Sequence, residues 1–219
     1  MTYHLLSYPL ENNAPVHKGL AYPKIVPESQ ISQGKYYNSY IINVENHSGT
    51  HVDAPGHLLD GGKKIGEYSP DELVFNNPLI LDCPKSDNEF ITIQDLENIE
   101  LNDVDCLFFK TGFGKYRDSD VERYLTQNPG LSPELVEWIR KNYPEIRCLG
   151  LDTISISCFQ KVEQGIEAHL NAFNDDYGVP LLLVEDINFS ISNEIKKIII
   201  IPWQIKEVDS TPCTILAQI

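Results

Sequence analysis

The sequence predicts an α/β fold in which a mixed sheet is covered by helices. Three observations carry that expectation. Short apolar runs rich in leucine and β-branched residues recur along the chain, helical signals lie between several of them, and the central runs are too apolar throughout to leave a face in water.

Residues 10–35, with Pro15, Gly19, Pro23, Pro27 and Gly34, read as a long irregular excursion, of the kind often tied to function. Residues 36–46 form the first clear strand candidate, and 78–82, 106–110, 147–151, 179–184 and 197–201 are the others. A helix is predicted from Ser132 as N-cap, with Pro133 at its first position and Leu135, Trp138 and Ile139 on one face, ending at Tyr143-Pro144. A second covers about 158–173. The strand ends Lys110-Thr111-Gly112, Asp152 and Glu185 are polar, and in open α/β sheets such ends tend to face one pocket.

With 219 residues and no repeat, acidic tail or Gly/Ser linker, the chain is expected to form a single domain over residues 1–219. Hydrophobic residues make up 42% and charged residues 22%, which excludes a disordered chain. The excess of 32 acidic over 17 basic residues, a net charge of −15, repels phosphate backbones and argues against nucleic-acid or anionic-membrane partners. The N-terminal stretch has no basic region followed by an apolar run, and no segment approaches the ~20 apolar residues of a membrane span, so a cytoplasmic protein is expected. Five scattered cysteines without a CxxC pair encode neither a disulfide framework nor a zinc ribbon, and are expected to be buried thiols.

Chemistry is concentrated in the segment from His47 to His57, which reads His47-Ser48-Gly49-Thr50-His51-Val52-Asp53-Ala54-Pro55-Gly56-His57. On a straight strand His47 and His51 would stand roughly 13 Å apart, too far to share an ion. Gly49 can take positive φ and bend the chain, so that two imidazoles and the Asp53 carboxylate converge. A second turn at Pro55-Gly56 would return His57 toward them, placed for acid–base work. His169 falls on the apolar stripe 166, 169, 170, 173 of the second helix and should face inward. Glu185 ends the apolar run Leu181-Leu182-Leu183-Val184, where an unpaired carboxylate would be costly. Alone, His169 reads more readily as a core histidine and Glu185 equally as the partner of a lysine; a divalent cation would satisfy both.

The pattern His47-x-Gly49-Thr50-His51-x-Asp53-x-Pro55-x-His57 resembles the HxGTHxDxPxH signature of the cyclase-family metal-dependent hydrolases, which include bacterial kynurenine formamidases and isatin hydrolases. Supporting matches are Leu79–Asp82, Phe109–Gly112, Leu149–Ser155, His169 and Val184-Glu185-Asp186. The resemblance implies a swivelling β/β/α domain, a homodimer or higher homo-oligomer, and one or two zinc or manganese ions. His47, His51 and Asp53 would hold one ion, with Asp53 and Glu185 shared by a second that His169 also binds. His57 would be the proton donor and acceptor. It further implies hydrolysis of an amide C–N bond of a small-molecule substrate, an arylformamide such as N-formylkynurenine, by attack of metal-bound hydroxide. An isatin-type cyclic amide or a lactone is the alternative substrate, and a non-catalytic metal-dependent binding module the alternative of another class. Formamidases carry a tryptophan in the early loop, where this chain has Pro15-Val16-His17-Lys18-Gly19, and an acidic residue often follows the DTxS segment, where it has Ile156-Ser157-Cys158.

Overall fold

Successive side chains of a strand point to opposite faces, and in Cys106–Lys110 both faces are apolar. Leu107 and Phe109 join one core with Leu149, Leu151 and Leu183, while Cys106 and Phe108 join a second with Cys148, Leu182 and Val184. These segments must therefore be covered on both sides. The computed structural model, which describes residues 2–190 and 194–219, shows how.

Its strands are β1 (Tyr3–Leu5), β2 (Lys24–Ser29), β3 (Ser39–Asn43), β4 (His51–Asp53), β5 (Val74–Phe75), β6 (Pro78–Asp82) and β7 (Phe90–Ile91). They continue with β8 (Cys106–Lys110), β9 (Gly130–Leu131), β10 (Cys148–Leu151), β11 (Leu182–Glu185), β12 (Lys197–Pro202) and β13 (Ser210–Gln218). The α-helices are α1 (Tyr116–Ser119), α2 (Val121–Thr126), α3 (Pro133–Asn142) and α4 (Val162–Phe173). One nine-stranded sheet runs β5-β12-β13-β4-β11-β10-β8-β6, with β1 added beside β13. Its β6, β8, β10 and β11 are parallel, whereas β4, β12 and β13 pair antiparallel with their neighbours. Leu135, Val136 and Ile139 of α3 and Ala168, Ala172 and Phe173 of α4 pack on the first core. Ile198, Ile200, Ile215 and Ala217 of β12 and β13 fill the second, so the antiparallel half of the sheet folds over the parallel half. The mixed sheet covered by helices is the predicted architecture.

Ser132 caps α3 as predicted, its Oγ accepting the Leu135 N–H at 3.1 Å, and the helix ends before Tyr143-Pro144. Elsewhere boundaries move. Residues 158–161 form a turn, closed by the Lys161 N–H on the Cys158 carbonyl, before α4 begins at Val162. Pro180 holds the start of β11 back to Leu182. The expected irregular excursion contains β2, which pairs with β3 as a separate two-stranded hairpin; Pro27 and a register shift disguise it in sequence. The expected strand 36–46 shrinks to β3. β13 and α2 lay outside the predicted elements.

The three polar strand ends do not meet in one pocket. Asp152 turns onto the loop after β8, where its carboxylate accepts the N–H of Thr111 (2.8 Å), Gly112 (2.9 Å) and Gly114 (3.3 Å) and the Thr111 hydroxyl (2.5 Å). All five cysteines are buried free thiols. Among the described residues no helix is long and apolar enough to cross a membrane.

Directly after Glu185, Asp186 takes φ 55° and buries its carboxylate completely. Burial pushes that carboxyl up, and two partners oppose the shift: Arg117, whose Nε lies 2.8 Å from Oδ1, and the Tyr124 hydroxyl at 2.6 Å. Tyr8 covers the guanidinium at 3.9 Å. Arg117→Met is expected to destabilise the protein by about 3–5 kcal/mol in urea denaturation, because it strands a buried charge. Adding Asp186→Asn should recover part of that loss, since asparagine is neutral and tolerates positive φ. A stability within about 1 kcal/mol of wild type for the single variant would show that the pair does not anchor this corner.

Candidate metal centre

The segment around β4 bends as its glycine allows. Gly49 takes φ 61°, a conformation that costs other residues a steric clash, and the chain folds back before β4. The His47 and His51 ring centroids lie 5.3 Å apart as a result. Asp53, two residues along β4 from His51, shares its face. Pro55–His57 then form a 3₁₀ turn, with the His57 N–H on the Ala54 carbonyl at 2.9 Å, which returns His57 to 4.3 Å from the His47 ring.

Glu185 arrives from the neighbouring strand, where the antiparallel register sets it opposite His51. Its Oε2 lies 3.2 Å from His51 Nε2, and Oε1 accepts the Ile156 N–H (2.8 Å) and the Ser155 hydroxyl (2.9 Å). His169 comes from α4, with Nε2 3.7 Å from Glu185 Oε1 and Nδ1 2.9 Å from the Gly165 carbonyl. A side chain on Gly165 would strike Ser157 Oγ at 2.5 Å, so this glycine lets α4 approach closely enough to deliver His169. The buried face of α4 is Gly165, Ala168, His169, Ala172 and Phe173. Ile166 and Leu170, expected to face inward with His169, are instead largely exposed, because the small residues provide the close helix contact.

The structure thus gathers His47, His51, Asp53, His57, His169 and Glu185 in one place. Two sets of donor atoms, His47-Asp53-His57 and His51-Asp53-Glu185, each fall within 4.8 Å and share Asp53. Nδ1 of His51 donates to the Gly49 carbonyl at 2.8 Å, which leaves Nε2 facing the two carboxylates. That Nε2 and Asp53 Oδ1 are both buried without a hydrogen bond. Orphaned donors and acceptors of this kind are rare, and imidazole nitrogens converging with carboxylate oxygens are the ligand set of zinc or manganese. The residues present fit a divalent ion.

Burial opposes charge on each of these groups, and their proximity overrides it. The Asp209 and Asp53 carboxylates push His47 up to about 10, and His51 and His169 are raised by Asp53 and Glu185. Asp53 is lowered by His51 and His47, and Glu185 is held well below the usual carboxylate range by His169 and His51.

A cavity of about 440 Å³ opens over this floor. Its walls are apolar, with Leu20, Leu58, Phe159, Val162 and Ile166 among them, and His17 from the early loop lies at its rim, 6.1 Å from Phe159. One site residue gave no sequence signal, and two others lie in the quoted sequence segments without an assigned role. Asp209, 2.9 Å from His57 Nδ1 and 3.1 Å from His47 Nε2, is remote in sequence from both. Ser155 bonds Glu185 and Ser157 lies 3.3 Å from His169 Nδ1, so the Ile156-Ser157-Cys158 departure bears on those residues.

Ligand histidines bind metal in their neutral form, so the raised histidines must lose protons as an ion enters. Zinc binding by the metal-free protein at pH 7 is expected to release protons, read by calorimetry in buffers of different ionisation enthalpy. Affinity should rise with pH from the ordinary histidine value of 6.5 toward about 10, the value to which His47 is pushed. A flat profile over that range would exclude protonated ligands.

A family pattern described as "Putative cyclase" matches residues 5–157. An uncharacterized protein of Haemophilus influenzae is 32% identical over 125 residues, 56% of this chain and 88% of that protein. A kynurenine formamidase of Bacillus cereus is 26% identical over 217 residues, 94% of this chain and 92% of that one. Isatin hydrolase A from Labrenzia aggregata, solved bound to benzyl benzoate, shares the fold with a TM-score of 0.80 at 20% identity, over 99% of this chain and 93% of that chain. The chain spans about half the length of a matching Arabidopsis thaliana protein, cyclase-like protein 1. With the pattern running through the His47 to His57 segment and over more than half of its length, the chain belongs to the cyclase family.

Proposed function

We propose that the chain is a metal-dependent hydrolase that cleaves the amide C–N bond of a small arylformamide, N-formylkynurenine being the test case. One observation carries the reading: buried carboxylates and imidazoles converge on the floor of an apolar cavity of about 440 Å³, a size suited to a small aromatic substrate. The formamidase from Bacillus cereus, similar over 94% of this chain, supports it.

His47, His51, Asp53, His169 and Glu185 would hold one or two divalent ions, zinc or manganese. An ion held there supplies a Lewis acid for the carbonyl oxygen and lowers the pKa of water from about 15.7 toward about 7. The rest of the chemistry belongs to this chain. The apolar walls take up the aryl group and exclude bulk water, directing the amide carbonyl to the polar floor. His57 faces the cavity from the 3₁₀ turn, where its imidazole can take the proton of the attacking water and return it to the departing amine. Water adds to the carbonyl carbon, the C–N bond breaks, and the products are a carboxylic acid and an amine.

His51→Ala is expected to lose bound metal and activity together. His57→Ala should keep its metal while turnover falls by roughly 10²–10⁴. Metal content by elemental analysis and hydrolysis of N-formylkynurenine by zinc- and manganese-loaded protein check both. Metal loss in the His57 variant would make that residue a ligand. Turnover of isatin but not the formamide would move the substrate class to cyclic amides, and turnover of neither by metal-loaded wild type would favour the non-catalytic module.

A further inference from the structure

Asp209 ends the loop that leads into β13, and both its main chain and its carboxylate are held by hydrogen bonds. Its main-chain carbonyl accepts the Ala54 N–H at 2.9 Å, and Oδ1 accepts from Asn46 Nδ2 at 3.0 Å. Oδ2 faces two imidazoles at once, His57 Nδ1 at 2.9 Å and His47 Nε2 at 3.1 Å. An ionised carboxylate only accepts, so each of those nitrogens carries the hydrogen of its contact. On His57 this leaves Nε2 as the atom free to exchange a proton. On His47 it leaves Nδ1, 3.1 Å from Asp53 Oδ1, as the atom that would take an ion once its proton is released.

We propose that Asp209 is a positioning residue of the reaction, fixing through one oxygen both the histidine that would hold the metal and the histidine that would move the proton. This rests on the hydrolytic reading of the site. Carboxylates behind metal-ligating histidines fix the ring and raise its basicity, and carboxylates behind catalytic histidines hold the productive tautomer. Asp209 does both, so occupancy of the metal site and the aim of His57 are tied to one group. A purely structural Asp209 would anchor the start of β13, a task its bond to Ala54 performs without the side chain.

The test is Asp209→Ala in the full chain. Nitrogen-15 imidazole spectra of the metal-free protein are expected to show His57 protonated at Nδ1 in the wild type, and a tautomer distributed over both nitrogens in the variant. Zinc affinity by competition with a chromogenic chelator should fall about 10- to 100-fold. At saturating metal, kcat should fall by a similar factor with KM unchanged, and in a His57→Ala background Asp209→Ala should cost no further kcat. Asp209→Asn, which keeps the volume, should move the same readouts in the same direction by less, and it serves if the alanine variant does not fold. Asp209→Glu should recover part of the loss. An unchanged His57 tautomer and zinc affinity, or a full additional loss of kcat in the His57→Ala background, would overturn the proposal. The spectra and the affinity need no substrate, so an inactive wild type would defeat the hydrolytic reading while leaving these two readouts to decide on Asp209.

Discussion

The register between β4 and β11 governs the centre of the molecule. Residues directly opposite one another in an antiparallel pair project to the same face, and here Glu185 stands opposite His51 and Leu183 opposite Asp53. His51, Asp53 and Glu185 meet only in this alignment. A slip of one residue would send one strand's side chains to the other face and replace Glu185 with Val184 at the metal floor. Val52 and Val184, fully buried on the opposite face, resist that slip, because exchanging them with the polar residues would put charges into an apolar core. β13 holds β4 from its other side through Ser210 opposite Asp53 and Pro212 opposite His51, and so brings Asp209 to the same spot.

Such a register concentrates charge in a place where charge is costly, and the protein meets that cost in two ways. Asp186 is balanced internally by Arg117 and Tyr124. Asp53 and Glu185 have no basic side chain of that strength, and are balanced by histidines, which can give up their protons. Their lowered carboxyls favour the paired state at pH above the ordinary range near 3.8 to 4.5, and that contribution fades as pH falls through the folded values. The raised histidines contribute fully below an ordinary value of 6.5 and lose their share as pH rises through the folded values, about 10 for His47. Histidines that can release their protons would let a metal ion take their place beside these carboxylates. A lysine or arginine in place of a histidine would neutralise the carboxylates permanently and close the site to an ion.

The sequence was informative where the chemistry is local. From His47 to His57 four site residues lie within eleven positions, and the glycine and proline that bend the chain lie between them, so their convergence could be read directly. Glu185 was legible from the cost of ending a buried strand in a carboxylate, and His169 from helical periodicity, although the stripe assigned to it was displaced toward Ile166 and Leu170. Periodicity weighs leucine and isoleucine above glycine and alanine, and α4 buries Gly165, where Ser157 leaves no room for a side chain, together with Ala168 and Ala172. Asp209 had no comparable signal: an aspartate before a strand is ordinary, and its partners are 152 and 162 residues away. The β2–β3 hairpin escaped for the opposite reason, since it pairs locally but outside the main sheet and carries Pro27 within it.

In the proposed hydrolase, the two faces of α4 would keep the metal ligand and the cavity wall apart on one element. His169 points into the protein and is held by the Gly165 carbonyl one turn earlier, while Val162 and Ile166, four residues apart on the adjoining face, form part of the cavity wall. The inward face is constrained by packing against Ser157 and by the geometry an ion would demand. The outward face answers only to what fills the cavity. Substitutions at Val162 and Ile166 can reshape the wall without moving His169, because the position of His169 is set by the backbone and by Gly165. The early loop contributes His17 and Leu20 to the same rim. In the proposed hydrolase, a fixed floor of histidines and carboxylates beneath a separate apolar wall would place substrate choice in residues outside the His47 to His57 segment.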